Sequence, residues 1–385
     1  MKFLFLNPFS GGSHLDFAQG LIDHSRHEID LISLPSRFWK WRMRGAAFYF
    51  IEKINSGVIE KTDSGRVKEN DFEKKIEPLM NYDGIIVTDM MSLADFTALA
   101  GGRCPPALVY FHENQITYPL APGEVRDFQF GFTNISSACA GQRILFNSHT
   151  HRDDFLAHLP GFLRRMPERR PMWVVDSIRE KSGVIYPGCR FPGKMEPVLA
   201  ESDALPLIIW NHRWEFDKNP DDFFAALARI QEKGFDFRLA LLGENFQKVP
   251  KAFIKAKKTF GDKIVRYGYV ESKKEYMDIL KQGSIVISSA WQENFGISVI
   301  EAARCGCFPL LPNRLSYPEI IPAEFHGQTL FRDAWDLEEK LSLFMERPSR
   351  FDETREKISR AMGVFSWENV IHLYDEALET LARQG

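Results

Sequence analysis

Short, continuously apolar runs separated by longer amphipathic stretches recur along this chain, and few folds tolerate that rhythm. The runs at residues 3–6, 29–34, 84–87, 107–111, 144–146 and 184–186 predict strands, and helical spacing fills the intervals between them. Strands buried on both faces read as unbroken hydrophobic runs, and when they alternate with helices they assemble into parallel sheets covered on both sides. The rhythm then restarts. Strands are predicted at 207–210, 237–242, 264–267, 285–288 and 308–311, with helices at 220–233, 250–260, 273–281 and 297–305. An α/β fold with two similar units follows, and 385 residues suffice for two or three domains at ~150 residues each.

The interval 191–206 carries Pro192, Pro197, Pro206 and an acidic stretch of small residues, which suits a linker better than an element. Domains are therefore expected at 1–195 and 206–365, with a helix in 366–385. That helix begins at Ser366-Trp-Glu-Asn and places Val370, Tyr374, Leu378 and Leu381 near helical spacing, so it needs a surface to cover. No period of 20 to 50 residues is visible, which excludes a solenoid.

Forty-nine Lys and Arg against 52 Asp and Glu leave a net charge of -3, which excludes a uniformly basic nucleic-acid coat but permits local patches. The five cysteines are scattered without a CxxC, as in a reducing cytoplasm. No apolar run approaches the ~18 residues of a membrane span, so a soluble cytoplasmic protein without stable membrane association is expected. The oligomeric state is not encoded.

Chemistry concentrates in four segments. Residues 293–301, Glu-Asn-Phe-Gly-Ile-Ser-Val-Ile-Glu, follow a strand and open a helix. Phe295, Gly296 and Ile297 form a turn whose backbone N–H groups can meet a phosphate, while Glu293 can hold sugar hydroxyls and Glu301 a diol such as ribose. A capped helix with two solvated glutamates fits the same letters. Residues 211–218 follow the strand at 207–210, where Arg213 and Lys218 suit a diphosphate or, alternatively, a surface cluster with Glu215 and Asp217. In the first half, Gly11, Gly12 and Ser13 allow close approach of a ligand to backbone. They form neither a GxGxxG nor a Walker loop, which argues against a dinucleotide cofactor or ATP. His112, Glu113, Asn114 and Gln115 emerge together after the strand at 107–111. No HExxH or DxD is present, so metal-independent chemistry is expected.

Basic residues cluster three times. Residues 35–44 carry Arg37, Lys40, Arg42 and Arg44 interleaved with Phe38, Trp39 and Trp41 and contain no acid, a pattern that can grip phosphates while rings stack on unpaired bases. A second cluster comprises Arg164, Arg165, Arg169 and Arg170. The third, Lys248, Lys251, Lys255, Lys257 and Lys258, reads as a solvated helix face.

The Arg213, Lys218 and Glu-x7-Glu spacing resembles the retaining GT-B glycosyltransferases of the nucleotide-sugar-dependent family four, with His212 in place of the usual Gly and Asn294 in place of the usual Pro. With segments 10–14, 35–45, 110–115, 126–131, 212–218 and 317–324, nearly the whole chain resembles the tRNA-queuosine alpha-mannosyltransferases. The resemblance implies two Rossmann-like domains facing across a cleft, an acceptor (tRNA) domain and a nucleotide-sugar donor domain, with the C-terminal helix crossing back to the first. It implies transfer of mannose from GDP-mannose, with retention, to queuosine at the wobble position of tRNA-Asp, with no cofactor beyond the nucleotide sugar. Arg213 and Lys218 would grip the diphosphate, Glu293 and Glu301 the sugar and ribose, and His112 would lie beside the hexose. Gly11, Gly12, Ser13, Phe295, Gly296 and Ile297 would touch the donor. Arg37, Trp39, Lys40, Trp41, Arg42, Arg44, Glu113, Asn114 and Gln115 would face the tRNA. Two alternatives stay open: the same donor chemistry on a lipid, polysaccharide or other acceptor, and a non-catalytic RNA-binding protein on this scaffold.

Overall fold

The structure is a computed structural model that describes residues 1–57, 77–121, 123–191, 205–244 and 249–383. The linker expected at 191–206 lies almost wholly outside the described residues. Met1–Gly188 and Trp367–Gly385 form one compact unit, and Cys189–Ser366 form another.

The first unit contains β1 (Lys2–Ser10), α1 (Gly12–His24), β2 (Glu28–Pro35), α2 (Trp39–Ser56), β3 (Gly84–Thr88), α3 (Leu93–Leu99), β4 (Ala107–Phe111), α4 (Phe128–Ala140), β5 (Arg143–Phe146), α5 (His149–Leu163), α6 (Trp173–Lys181) and β6 (Ser182–Val184). Its strands pair in parallel in the order β2-β1-β3-β4-β5-β6. Because successive strand residues face opposite ways, Leu4, Leu6, Val87 and Val109 pack against α2 to α6. Phe5, Ile86, Leu108 and Tyr110 pack instead against α1 and the C-terminal helix, Trp367–Ala382. That helix buries Trp367, Val370, Tyr374, Leu378 and Leu381, one every three or four residues, against the second face. The Tyr374 hydroxyl donates to the Tyr186 carbonyl at 3.0 Å. The expected return of the last helix to the first domain is the arrangement found.

Two of the predicted strands differ from expectation by more than one residue at an end. β1 runs on to Ser10 instead of ending at Leu6, because Ser10 pairs with Pro35 beyond the end of β3 after a register shift that begins at Asn7. Pro8 lies in that shift, where the missing N–H removes no regular ladder bond. β6 starts earlier than predicted because Val184 pairs with Phe146.

The second unit contains β7 (Leu207–Trp210), α7 (Pro220–Glu232), β8 (Arg238–Leu241), α8 (Lys251–Phe260), β9 (Ile264–Tyr267), α9 (Lys273–Gln282), β10 (Ile285–Ile287), α10 (Ile297–Arg304), β11 (Phe308–Pro312), α11 (Tyr317–Ile320), α12 (His326–Thr329), β12 (Leu330–Phe331), α13 (Ala334–Glu346) and α14 (Asp352–Ala361). The parallel order is β12-β11-β10-β7-β8-β9. The chain therefore builds outward from β7 to β9 and then crosses to β10 on the other side. The carboxyl ends of β7 and β10 flank the switch point where ligands bind in such sheets.

Candidate active site

The β7–β10 switch point brings together the loops 211–219 and 288–296. Lys218 ends a 3-10 turn, Phe216–Lys218, and its side chain is buried. Its Nζ donates to the Gln292 carbonyl at 2.6 Å and stands 3.3 Å from Asp217 and 3.4 Å from Glu293. Burial lowers the pKa of this ammonium, and Glu293 and Asp217 more than reverse that, leaving it raised. Burial pushes Glu293 up, while Lys218 and His212 outweigh it and hold the carboxyl low. The pair is thus ionised at neutral pH. The Asp217 carbonyl accepts from the Trp291 N–H at 2.8 Å, and Arg314 donates to the Ala290 and Ser289 carbonyls, both at 3.1 Å, which fixes the Glu293 loop.

Gly296 holds φ 101 and precedes α10. A side chain there would be strained, and its Cβ would come within 3.3 Å of Ile320. With no capping side chain, the first-turn N–H groups of α10 point toward the switch point. Farther along α10, buried Glu301 forms an ion pair with Lys273. Asn211 donates to the Tyr276 hydroxyl at 3.0 Å and to the Ser298 carbonyl at 2.7 Å. His212 is buried, and its Nε2 has no hydrogen-bond partner among the described residues. Burial, with a smaller push from Lys218, lowers its pKa to about 4, so the ring is neutral. Arg213 is half-exposed, 3.3 Å from Glu215.

In the first unit, His112 leaves β4 with its ring 4.1 Å from that of His14. Burial, followed by His14 and His151, holds its pKa well below the usual imidazole value. Its backbone is clamped on both sides: Asp89 Oδ1 accepts from its N–H at 2.8 Å and Asn147 Nδ2 donates to its carbonyl at 2.9 Å. Asn134 accepts from the Gln115 N–H at 2.7 Å, and Arg126 donates to the carbonyls of Gln115 at 2.6 Å and Tyr118 at 2.7 Å. Asn114, expected to face the acceptor, is instead consumed in the turn. Its Oδ1 accepts from Ile116 and Thr117, and its Nδ2 approaches Thr117 and His151. Glu113 accepts from the Gln115 amide at 3.2 Å, so these two side chains form a pair at the loop surface. Gly11 serves packing, since a Cβ there would lie 2.3 Å from the Ser36 hydroxyl, whereas Gly12 and Ser13 are exposed.

The basic segment opens α2. Met43 is buried with Met90 and Phe130, which seats the start of this helix beside the residues after β3. Trp39 packs on Phe130 at 5.0 Å and anchors the helix, while Trp41 is 76% exposed; Arg37, Lys40 and Arg44 are exposed and Arg42 is half-buried. On α8, Lys251, Lys255, Lys257 and Lys258 face solvent while Phe253, Ala256 and Phe260 are buried, and Lys248 lies outside the described residues.

The structure thus joins Lys218, Glu293 and Gly296 at one switch point and His112 with His14 at the end of the other sheet. His14, Asp89, Asn134, Asn147, His151 and Lys273 received no role from sequence, and Asp217, placed there only in a surface cluster, is buried. Asp89 and Asn147 directly follow β3 and β5, so a search for polar residues at strand ends would have found them. Among the described residues, no three His, Cys, Asp or Glu converge as metal ligands, and no helix is long and apolar enough to cross a membrane.

Comparison with known proteins bears on this geometry. Residues 2–189 match the family described as tRNA-queuosine alpha-mannosyltransferase N-terminal, and residues 194–362 match glycosyl transferases group 1. The tRNA-queuosine alpha-mannosyltransferase of Drosophila melanogaster is 34% identical over 364 residues, spanning 92% of this chain and 89% of that protein. Anabaena HepE in complex with UDP has a TM-score of 0.63 at 14% identity, covering 99% of this chain and 100% of that one. Sucrose-phosphate synthase from Thermosynechococcus elongatus has a TM-score of 0.64 at 13% identity over 100% of both chains. At such identities the two structures show a shared fold alone, whereas the sequence matches go further: the chain belongs to the tRNA-queuosine alpha-mannosyltransferase family, and it is a glycosyltransferase of GT-B fold.

Proposed function

We propose that the protein transfers mannose from GDP-mannose to queuosine in the anticodon loop of tRNA-Asp, in the cytoplasm, with retention and without a metal ion. The observation that carries this reading is the ionised, buried Lys218–Glu293 pair beside the uncapped start of α10. As the bond from the anomeric carbon to the diphosphate breaks, negative charge develops on the departing oxygen. Lys218, Arg213 and the N–H groups of α10 are the cationic and dipolar partners that favour it. A bond to the queuosine hydroxyl forms on the same face, and the hydroxyl proton passes to the departing GDP oxygen, so no separate base is required. Glu293, held as a carboxylate, orients the hexose and supports its oxocarbenium-like charge. Glu301 accepts from the ribose diol in place of its Lys273 contact. His112, kept neutral, serves as a hydrogen-bonding group for the hexose and not as an acid. Gly12 and Ser13 offer exposed backbone to the donor, and Trp41 with the basic start of α2 grips the RNA.

The test is incubation with GDP-mannose and tRNA that contains or lacks queuosine, followed by mass analysis of the nucleosides. One hexose is expected on queuosine alone. Hexose on a different acceptor, or tRNA binding without GDP release, would overturn the reading.

A further inference from the structure

The arginines at 164, 165, 169 and 170 have no part in the chemistry described so far. All four are exposed in the turn between α5 and α6, which also carries Glu168, and among the described residues none forms an ion pair with a carboxylate. Uncompensated cations at this density repel one another, so they mark a surface that a polyanion completes. Two packing chains connect this turn to the basic start of α2 through the first turns of α4. From one side, Arg44 donates to the Thr133 hydroxyl at 3.3 Å and Trp39 packs on Phe130. From the other, the Arg165 guanidinium lies over the Phe128 ring at 5.6 Å, and Phe128 packs on Phe162 at 5.7 Å. Each end carries an exposed tryptophan, Trp41 at 76% and Trp173 at 66%. Each end also holds a non-glycine residue in the left-handed region, Phe38 at φ 57 and Arg169 at φ 50. Backbone strain of this kind clusters at functional surfaces.

We propose that the first domain carries one continuous RNA-binding strip, from the start of α2 across α4 to the α5–α6 turn, which grips acceptor RNA outside the modified nucleoside. The proposal rests on the acceptor being a tRNA. Cations that no carboxylate pairs among the described residues meet the phosphates, and tryptophans at both ends offer planes on which unpaired bases stack. An anionic membrane would meet the same charges, but the first domain's ring-and-arginine alternation across three helices fits a strand of phosphates and bases better than a headgroup layer.

The test uses the full chain and an unmodified tRNA transcript, with Kd measured over a series of salt concentrations. The variant Arg164→Gln/Arg165→Gln/Arg169→Gln/Arg170→Gln should flatten the slope of log Kd against log salt by roughly 3, at about 0.7 to 0.9 per lost phosphate contact. Trp173→Ala should weaken binding roughly 5- to 100-fold while leaving the slope intact, as loss of a stacking plane does. An unchanged denaturant midpoint in each variant reports an intact fold. A wild-type slope in the quadruple variant, with hexose transfer to queuosine preserved, would overturn the strip alone. Loss of binding to vesicles of acidic phospholipid with RNA binding untouched would overturn it in favour of a membrane surface. Transcript binding that falls as stated, in a protein that transfers no hexose to queuosine, would support the strip and overturn the acceptor chemistry instead.

Discussion

Lys218 sits between two carboxylates in a nearly dry setting, so removing it has two separable effects. Turnover should fall by a factor of roughly 10² to 10³ in Lys218→Ala and in Arg213→Ala, the scale of losing one charge-stabilising group, as measured by GDP release with tRNA present. Lys218→Ala should also lower Tm, because Asp217 and Glu293 are left facing each other without a counter-ion, whereas half-exposed Arg213 can be lost with little change. Near-normal rates in both variants would remove the donor assignment. Acid sensitivity follows from three buried imidazoles, His112, His151 and His212. Burial lowers His151 to about 3, and burial with Lys218 lowers His212 to about 4, from 6.5. The unfolded chain takes up these protons below pH 6.5 while the folded chain refuses them. Stability should therefore be level above pH 6.5 and decline below it, down to about pH 4 for His212 and pH 3 for His151, by at most about 1.4 kcal/mol per pH unit per group. Urea titrations at pH 7.5 and pH 5 measure the decline, and His151→Gln should make it shallower; equal midpoints at both pH values in the native sequence would contradict it. Arg213, Lys218, Glu293 and Glu301 could be singled out as candidates in the sequence because charge beside a turn after an apolar run stands out. His151 carries no such mark, since its partner Asn114 lies 37 positions away.

Helix α2 shows what spacing decides within an element. Trp39 and Trp41 are two residues apart, and at ~100° per residue their side chains leave the helix on nearly opposite sides. The sequence displays two equivalent indoles; Phe130 determines which one is the anchor. Likewise the basic run is visible in the letters, but the helix continues to Ser56 because Phe50 and Ile54 find places in the core. Replacing Arg37, Lys40 and Arg44 together by Glu should weaken tRNA binding and flatten its salt dependence while GDP binding persists, as read by titration of each ligand. A fall in GDP affinity instead would assign the segment to the donor site or to folding. The two-residue β12 and the four-residue α11 and α12 were not legible, because elements so short have no period and form only against neighbours already in place.

Across the whole molecule, the doubled rhythm of apolar runs was enough to foresee two parallel sheets. The destination of the last helix was not: an amphipathic stripe shows that something covers it, and only the resemblance said which domain. Trp367 makes the connection explicit, since a Cβ on Gly20 or on Gly188 would lie 2.0 Å and 2.2 Å from its indole. Trp367→Ala should cost about 3 to 5 kcal/mol, the range for emptying a fully buried aromatic site, and a denaturant midpoint equal to the native one would refute that seat. This closure by a distant segment sets a schedule for synthesis. The 178 residues of Cys189–Ser366 emerge between the two parts of the first unit, which at typical elongation rates takes roughly 10 to 35 s. Throughout that wait the Phe5, Ile86 and Leu108 side of a nascent sheet has only α1 to cover it, so any ribosome that stalls before Trp367 leaves a chain whose greasy flank invites chaperones or proteases.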